Sequence, residues 1–505
     1  MLTPREIFFY HAKNPLIFSQ YLFLFLFTIG FIIFAFVNRR TLVRNAYLLG
    51  FSLFFYYKSG GIFFFLLLFS TLVDYWCGNQ IYRSENTKTR KTYLIISMVI
   101  NLGLLAFFKY SEYVVSLIND MAGTEFRAVN YLSVFSNNIF GSHFDIYKII
   151  LPVGISFFTF QTMSYTIDIY RRELEPAKNL VDFGFFVSFF PQLVAGPIVR
   201  ASDFIPQIYK KYNLTREQLG MALYLIMSGL FKKVFISDYI SANFVDRVFE
   251  APQLYTGFSN LMAVYGYSIQ IYCDFSGYSD MAIGIAALLG FHIPINFNSP
   301  YKSTSITDFW RRWHISLSSW LRDYLYISLG GNKKGKIRTY INLMLTMLLG
   351  GLWHGAATKF IIWGGLHGAA LAIHKLWMQY FPKISKAKSL LATIITGFIT
   401  FHFVAYCWVY FRAENLAKVR LMFNQIFNHF EWATVGERIS GFAIPLAFIL
   451  LGFLIHFIPN NFKSWAKNLF VIMPDWAKVA TCAAVIFIVY QAKTSDIQPF
   501  IYFQF

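Results

Sequence analysis

Apolar residues run in blocks along the whole chain, with short polar breaks between them. The first block, YLFLFLFTIGFIIFAFV over 21–37, carries no charge, and a helix needs about 20 such residues to cross roughly 30 Å of hydrocarbon. Further blocks fall at 46–57 and 61–76, split by KSGG (58–61), then at 93–108, 147–170, 182–197, 219–237, 258–273 and 281–295. The rest follow at 339–353, 360–378, 390–411, 441–458 and 477–492. The length rule gives about ten to twelve crossings. Several blocks are too short for a comfortable crossing and predict broken, re-entrant or tilted helices packed inside the protein.

One segment departs from the pattern: FNSPYKSTSITDFWRRWHISLSSWLRDYLYISLGGNKKGKIR, over 297–338. Its basic residues are Lys302, Arg311, Arg312, Arg322, Lys333, Lys334, Lys336 and Arg338, against only Asp308 and Asp323. Cytoplasmic loops of polytopic proteins are enriched in Lys and Arg, which places this stretch inside. Phe309, Trp310, Trp313, Leu317, Trp320, Leu321 and Tyr324 recur at helical spacing, with Thr307 or Asp308 placed to cap the N-terminus. The segment is expected to lie at the cytoplasmic interface, or to dip into it, rather than cross.

Composition agrees with a membrane protein: 56% of residues are hydrophobic and 14% charged, where soluble domains carry about 25%. The net charge of +19 sits in short loops between apolar runs, so it points to membrane orientation and not to nucleic acid. NRRTLVRN (38–45) puts that loop inside and the N-terminus outside, and the first apolar run lacks the small-residue site of a cleavable signal. Cys77, Cys273, Cys407 and Cys482 are scattered without CxxC spacing and imply neither a disulfide framework nor a metal knuckle.

Ionisable groups at membrane depth are costly and tend to mark sites, which singles out His354 in GGLWHGAATKF (350–360). A ring kept from water is held neutral, because desolvation disfavours the charged form, and a neutral ring is available as a base. The apolar run from Leu343 to Trp377 would be about 52 Å long as one helix, so it must break near His354. The small neighbours Gly350, Gly351, Gly355, Ala356 and Ala357 leave room for a substrate. Alternatively, Gly351/Gly355 and Gly364/Gly368 are GxxxG pairs that permit close helix packing. His367 and His374 could join His354 around a metal, but no HExxH and no following carboxylate support this. Asp274 and Asp280 suit a proton or cation path in a transporter, or a pair of hydrogen-bonding groups at a helix end beside Ser276 and Ser279. No GxSxG, P-loop or GxGxxG is present.

RRWHISLSSWLRDYLYISLGGNKKG (311–335) and GGLWHGAATKFIIWGGLHG (350–368), with VGISFFTFQTMSYTIDIYR (153–171), FFPQLVAGPIVR (189–200) and CDFSGYSDMAIG (273–284), resemble the membrane-bound O-acyltransferase (MBOAT) family. The likeness is to its bacterial alginate O-acetyltransferase branch, with the D-alanyl transferases of teichoic acid synthesis further off. It implies one all-α polytopic membrane domain over 1–505, a ring of about eleven transmembrane helices with short re-entrant helices around a thin core. Cytoplasmic and extracytoplasmic funnels would meet near the catalytic histidine, which maps onto His354 of the WHG motif; the second functional histidine, of RWHIS, maps onto His314. The implied donor is an acyl thioester, acetyl-coenzyme A or an acyl carrier, with no bound cofactor or metal. Arg311, Arg312, Trp313, Lys333 and Lys334 are assigned to donor binding. Trp353, Gly355, Asp308 and Asp274 are assigned to the lining of the site. The acceptor would be a hydroxyl of an extracytoplasmic polysaccharide, reached through an SGNH-hydrolase-like partner at the bacterial inner membrane. The reading from another class is a secondary transporter or flippase using the intramembrane Asp and His residues.

Overall fold

The computed structural model describes residues 4–11, 15–140, 143–194, 196–381 and 389–492, and among them every regular element is a helix. The first block forms Tyr21–Val37. The KSGG break appears as a 3-10 turn at Gly61–Phe63 between Thr41–Gly60 and Phe64–Arg83. Thr41–Arg83, Thr87–Ala122, Arg216–Glu250 and Leu390–Arg412 are each long and apolar enough to cross a membrane, and Trp432–Gly441 with Ala443–Phe457, bent by 87°, forms a fifth span if the pair is taken as one. The blocks that fall short are those broken or rearranged inside the protein. The 182–197 block makes helices of nine and four residues, and the 147–170 block becomes helical only from Ile155. The 258–273 and 281–295 blocks, separate in the sequence pattern, merge into one 32-residue helix, Gly257–Leu288.

Most residues of helix 257–288 are buried, polar ones included, which puts it at the centre of the fold. It touches helix 216–230 glycine to glycine: a Cβ on Gly229 would stand 2.4 Å from Gly277 O, and one on Gly277 would stand 2.7 Å from Gly229 O. Backbones this close are possible only without side chains. Helix 216–230 then widens into a π-helical stretch, Phe231–Asp238, which changes the angle between successive side chains. The adjacent Lys232 and Lys233 both reach helix 257–288. Lys232 Nζ lies 2.6 Å from Asp280, while Lys233 pairs with Asp274 and, at 2.7 Å, with Asp238.

The 297–338 segment packs the apolar face of its amphipathic pattern against protein. It forms two short helices, Ile306–Arg312 and Ile315–Trp320, with a π-turn over Leu321–Tyr326. Phe309, Trp313 and Leu317 are each about 1% exposed, and Trp313 packs on Phe297, Phe309 and Trp408 with ring centroids 5.0, 5.6 and 4.9 Å apart. The apolar face is covered by protein, because periodicity reports that a face is apolar but not what covers it. The N-terminal cap is Ser305, whose Oγ accepts from the Asp308 N–H at 3.2 Å, and not Thr307 or Asp308.

The 343–377 run breaks where expected. Lys336–His354 ends at His354, and Thr358–Tyr380 begins after a turn at 355–357. The two arms fold back on each other through glycines. A Cβ on Gly351 would stand 2.2 Å from Phe360 O, on Gly364 2.3 Å from Met347 O, and on Gly368 2.8 Å from Met344 Sδ. Gly351, Gly364 and Gly368 therefore pack the hairpin.

Replacing Gly364 by Val is expected to cost about 1–3 kcal/mol through overpacking, read as a fall of a few degrees in the melting temperature of the detergent-purified protein. Gly365→Ala, where the nearest atom would be Leu348 Cδ2 at 3.6 Å, should melt like wild type.

Candidate active site

The hairpin tip ends a helix, and the last carbonyls of a helix have no donor in the following turn. One face of helix 87–122 supplies the missing donors. The Tyr110 hydroxyl donates to Leu352 O at 2.8 Å, and the Lys109 ammonium donates to Trp353 O and, at 3.2 Å, to His354 O. One turn further on, the Tyr113 hydroxyl lies 3.1 Å from Thr358 Oγ1 on the other arm. The backbone of His354 is thus fixed from outside its own hairpin.

The His354 ring is 5% exposed and stands among Trp353, Trp363 and Phe411, with centroids 5.0, 5.0 and 5.1 Å away. It faces a cavity of about 120 Å³ walled by Lys109, the 151–157 stretch, Val194 and Trp353. Gly154 shapes that wall. It holds φ +75°, and a Cβ there would stand 2.5 Å from Leu193 O, so the position requires glycine both for conformation and for space.

His314 sits between the two short helices of the 297–338 segment in the left-handed region, at φ 43° and ψ 56°, uncommon for a residue with a side chain. Asn296 holds its ring, with Nδ1 3.1 Å from Asn296 Oδ1. The same oxygen accepts from Ser316 N at 3.2 Å and Ser316 Oγ at 2.9 Å. A backbone N–H can only donate, so that atom is the amide oxygen, and His314 Nδ1 carries a proton. The ring stands edge-on to Phe275 at 4.6 Å and lies 6.1 Å from Trp353. His314 and His354 therefore flank one indole, at 6.1 and 5.0 Å.

The sequence model of the membrane-bound O-acyltransferase family matches residues 172–417, which include both histidines. The probable alginate O-acetylase AlgI of Pseudomonas putida is 36% identical over 510 residues, covering 97% of this chain and 100% of that protein. The chain belongs to the membrane-bound O-acyltransferase family. The probable alginate O-acetylase AlgI of Pseudomonas aeruginosa is 42% identical over 420 residues, 83% of this chain and 76% of that one. The peptidoglycan O-acetyltransferase of Helicobacter pylori is 38% identical over 431 residues, 79% of this chain and 78% of that one. As an MBOAT protein with several apolar helices, the molecule is a membrane acyltransferase.

Of the other residues singled out in this acyltransferase, Trp353 packs against both histidines. Gly355 faces the ring of Phe360, 2.0 Å from where its Cβ would be. Asp308 pairs with Arg312 at 2.9 Å, and Asp274 is committed to Lys233, so neither carboxylate lines the cavity beside His354. The five residues assigned to the donor differ in their surroundings. Trp313 is core, Arg312 is ion-paired, and Arg311, Lys333 and Lys334 are exposed. His374 Nδ1 lies 2.8 Å from Thr307 Oγ1, while His367 packs against Trp363 at 4.7 Å. Lys109, Asn296 and Ser316 were missed. Lys109 follows an uncharged run, LGLLAFF, and the rule that singled out His354 applies equally to it; nothing local marks Asn296.

Two substitutions separate these roles. Lys109→Met leaves the carbonyls of residues 353 and 354 without their donor, and is expected to lower acyl transfer at least about tenfold while the protein still purifies as a folded species. Asp274→Ala leaves Lys233 with one carboxylate in place of two, and is expected to destabilise the fold by about 3–5 kcal/mol, seen as a lowered melting temperature instead of a selective loss of turnover.

Proposed function

We propose that the protein moves an acetyl group from a thioester on the cytoplasmic side to a hydroxyl of an extracytoplasmic polysaccharide. The observation that carries this reading is the pair of buried histidines flanking Trp353, one of them facing a cavity. The relatives' named activities, probable alginate O-acetylase and peptidoglycan O-acetyltransferase, support the acetyl group and the class of acceptor. The same reading sets the chain in the bacterial inner membrane as a multi-pass ring of about eleven helices, some broken. Delivery to the polymer runs through a separate extracytoplasmic partner of the SGNH-hydrolase type.

In this mechanism His354 takes the proton of the acceptor hydroxyl as its oxygen attacks the thioester carbonyl. The carbon–sulfur bond breaks, and the departing thiolate recovers a proton. His314 acts beside it. With Nδ1–H held by Asn296, its ring orientation is fixed, which suits positioning the donor or a water, or stabilising the developing oxyanion. The indole of Trp353 keeps both rings away from bulk water. A competing route places the acetyl group on His354 first. The membership of the acyltransferase family favours this reading over a transporter, whose candidate carboxylates, Asp274 and Asp280, are each paired with a lysine.

The deciding measurement follows radiolabelled acetyl from acetyl-coenzyme A into extracytoplasmic ester in membrane vesicles. Wild type is expected to transfer label, and His354→Ala to fall by about 10²–10⁴-fold, with a loss for His314→Ala as well, at equal protein levels. Equal transfer by wild type and His354→Ala would sink the mechanism, and label trapped on His354 after donor alone would replace direct attack by the covalent route.

A further inference from the structure

A second cavity, about 400 Å³ in volume, lies where the Ala443–Phe457 helix turns into Asn460–Ile472. Lys232, Lys463 and Lys467 line it, against one carboxylate, Asp280, which Lys232 already holds at 2.6 Å. The lining therefore carries a net of two positive charges. Lys302 stands beside it, with its ammonium 2.7 Å from Ile458 O. Lys463 donates to two neutral acceptors, Ser299 Oγ at 3.1 Å and His456 O at 3.0 Å. Lys467 makes no hydrogen bond or ion pair among the described residues, and neither Lys302 nor Lys463 has a carboxylate partner there.

Part-buried cations without counter-ions are costly. The carboxyl end of helix 443–457 contributes only about half a negative charge, and the amino end of helix 460–472 beside it contributes the opposite. Burial, with Lys302 and Lys232 nearby, pushes the Lys463 ammonium down to about 8. The cavity thus holds more positive charge than its own walls offset, together with hydroxyl and amide groups from Ser276, Asn298, Ser299 and Ser464.

We propose that this cavity is a binding site for a phosphate group, distinct from the exposed basic loop around Lys333 and Lys334. Ammonium groups and small polar donors around a concave space suit a phosphate's three acceptor oxygens. The phosphate belongs either to the acyl donor or to an anionic phospholipid headgroup. The first case rests on the acyl-transfer reading above and has a structural connection: Phe297 lines the cavity, packs on Phe275 at 5.0 Å, and Phe275 packs on His314 at 4.6 Å. A phosphate in the cavity would stand behind two aromatic rings from that histidine.

The test measures binding of coenzyme A, and separately of dioctanoyl phosphatidylglycerol against dioctanoyl phosphatidylcholine, to the full chain purified in an uncharged detergent. Lys463→Gln and Lys467→Gln are expected to weaken Kd for one anionic probe at least tenfold, with Lys463→Arg and Lys467→Arg within threefold of wild type. The probe that responds identifies the source of the phosphate. Wild type binding neither anionic probe, or the Gln variants binding both as wild type does, would overturn the site. Lys467 provides the check against misfolding, because it holds no structural hydrogen bond among the described residues. His354→Ala is expected to keep the binding while losing transfer, so failure of the phosphate site and failure of the catalytic reading give different results.

Discussion

Three carbonyl oxygens at the end of a broken helix set the terms for the candidate site. A membrane interior offers no water to satisfy backbone polar groups, so a helix can stop at His354 only if something else donates to Leu352, Trp353 and His354. Helix 87–122 does so with Tyr110 and Lys109. The break then becomes a fixed structure instead of a frayed end, and the first residue without a helical successor is the histidine that faces the cavity. The glycine seam between the arms serves the same end. It lets the two helices press together so that the tip, not the length of the hairpin, is where backbone geometry departs from regular helix.

Buried charge in this molecule follows one pattern, in which polar side chains on the central helix are answered by the helix beside it. The π-turn after Leu230 allows two consecutive lysines to meet Asp274 and Asp280 on one neighbour. That arrangement gives each of these carboxylates a cationic partner inside the fold. The lysines around the 458–459 bend break the pattern, since no carboxylate answers them among the described residues. The second cavity takes its character from that excess of positive charge, because the Lys232–Asp280 pair in its wall is neutralised while Lys463 and Lys467 beside it are not.

The break near His354 was legible because it follows from arithmetic: 35 apolar residues exceed one bilayer, and the glycines mark the weak point. The role of His314 as second histidine came through the family motif, and no local property of RRWHIS announces a buried left-handed residue. Asn296 lies in FHIPINFN, an unremarkable stretch, and its role appears only when the chain returns to place it against His314. The glycines around His354 were open to two readings, and packing decided between them. The amphipathic stripe of 306–324 was legible as a stripe, but what covers it was not, because Trp408 and Phe297 come from elsewhere in the chain to pack on it.

By itself the sequence determined that this is a helical membrane protein, that it belongs with the O-acyltransferases, and that an ionisable ring sits in an apolar run beside a helix break. Those properties are local: composition, block length, a motif and its spacing. Only the tertiary structure decided which lysine caps the break, which amide fixes the second histidine's proton, and which carboxylates are already spent on partners. Each of these depends on residues tens to hundreds of positions apart meeting within about 3 Å, and one-dimensional periodicity carries no information about such meetings.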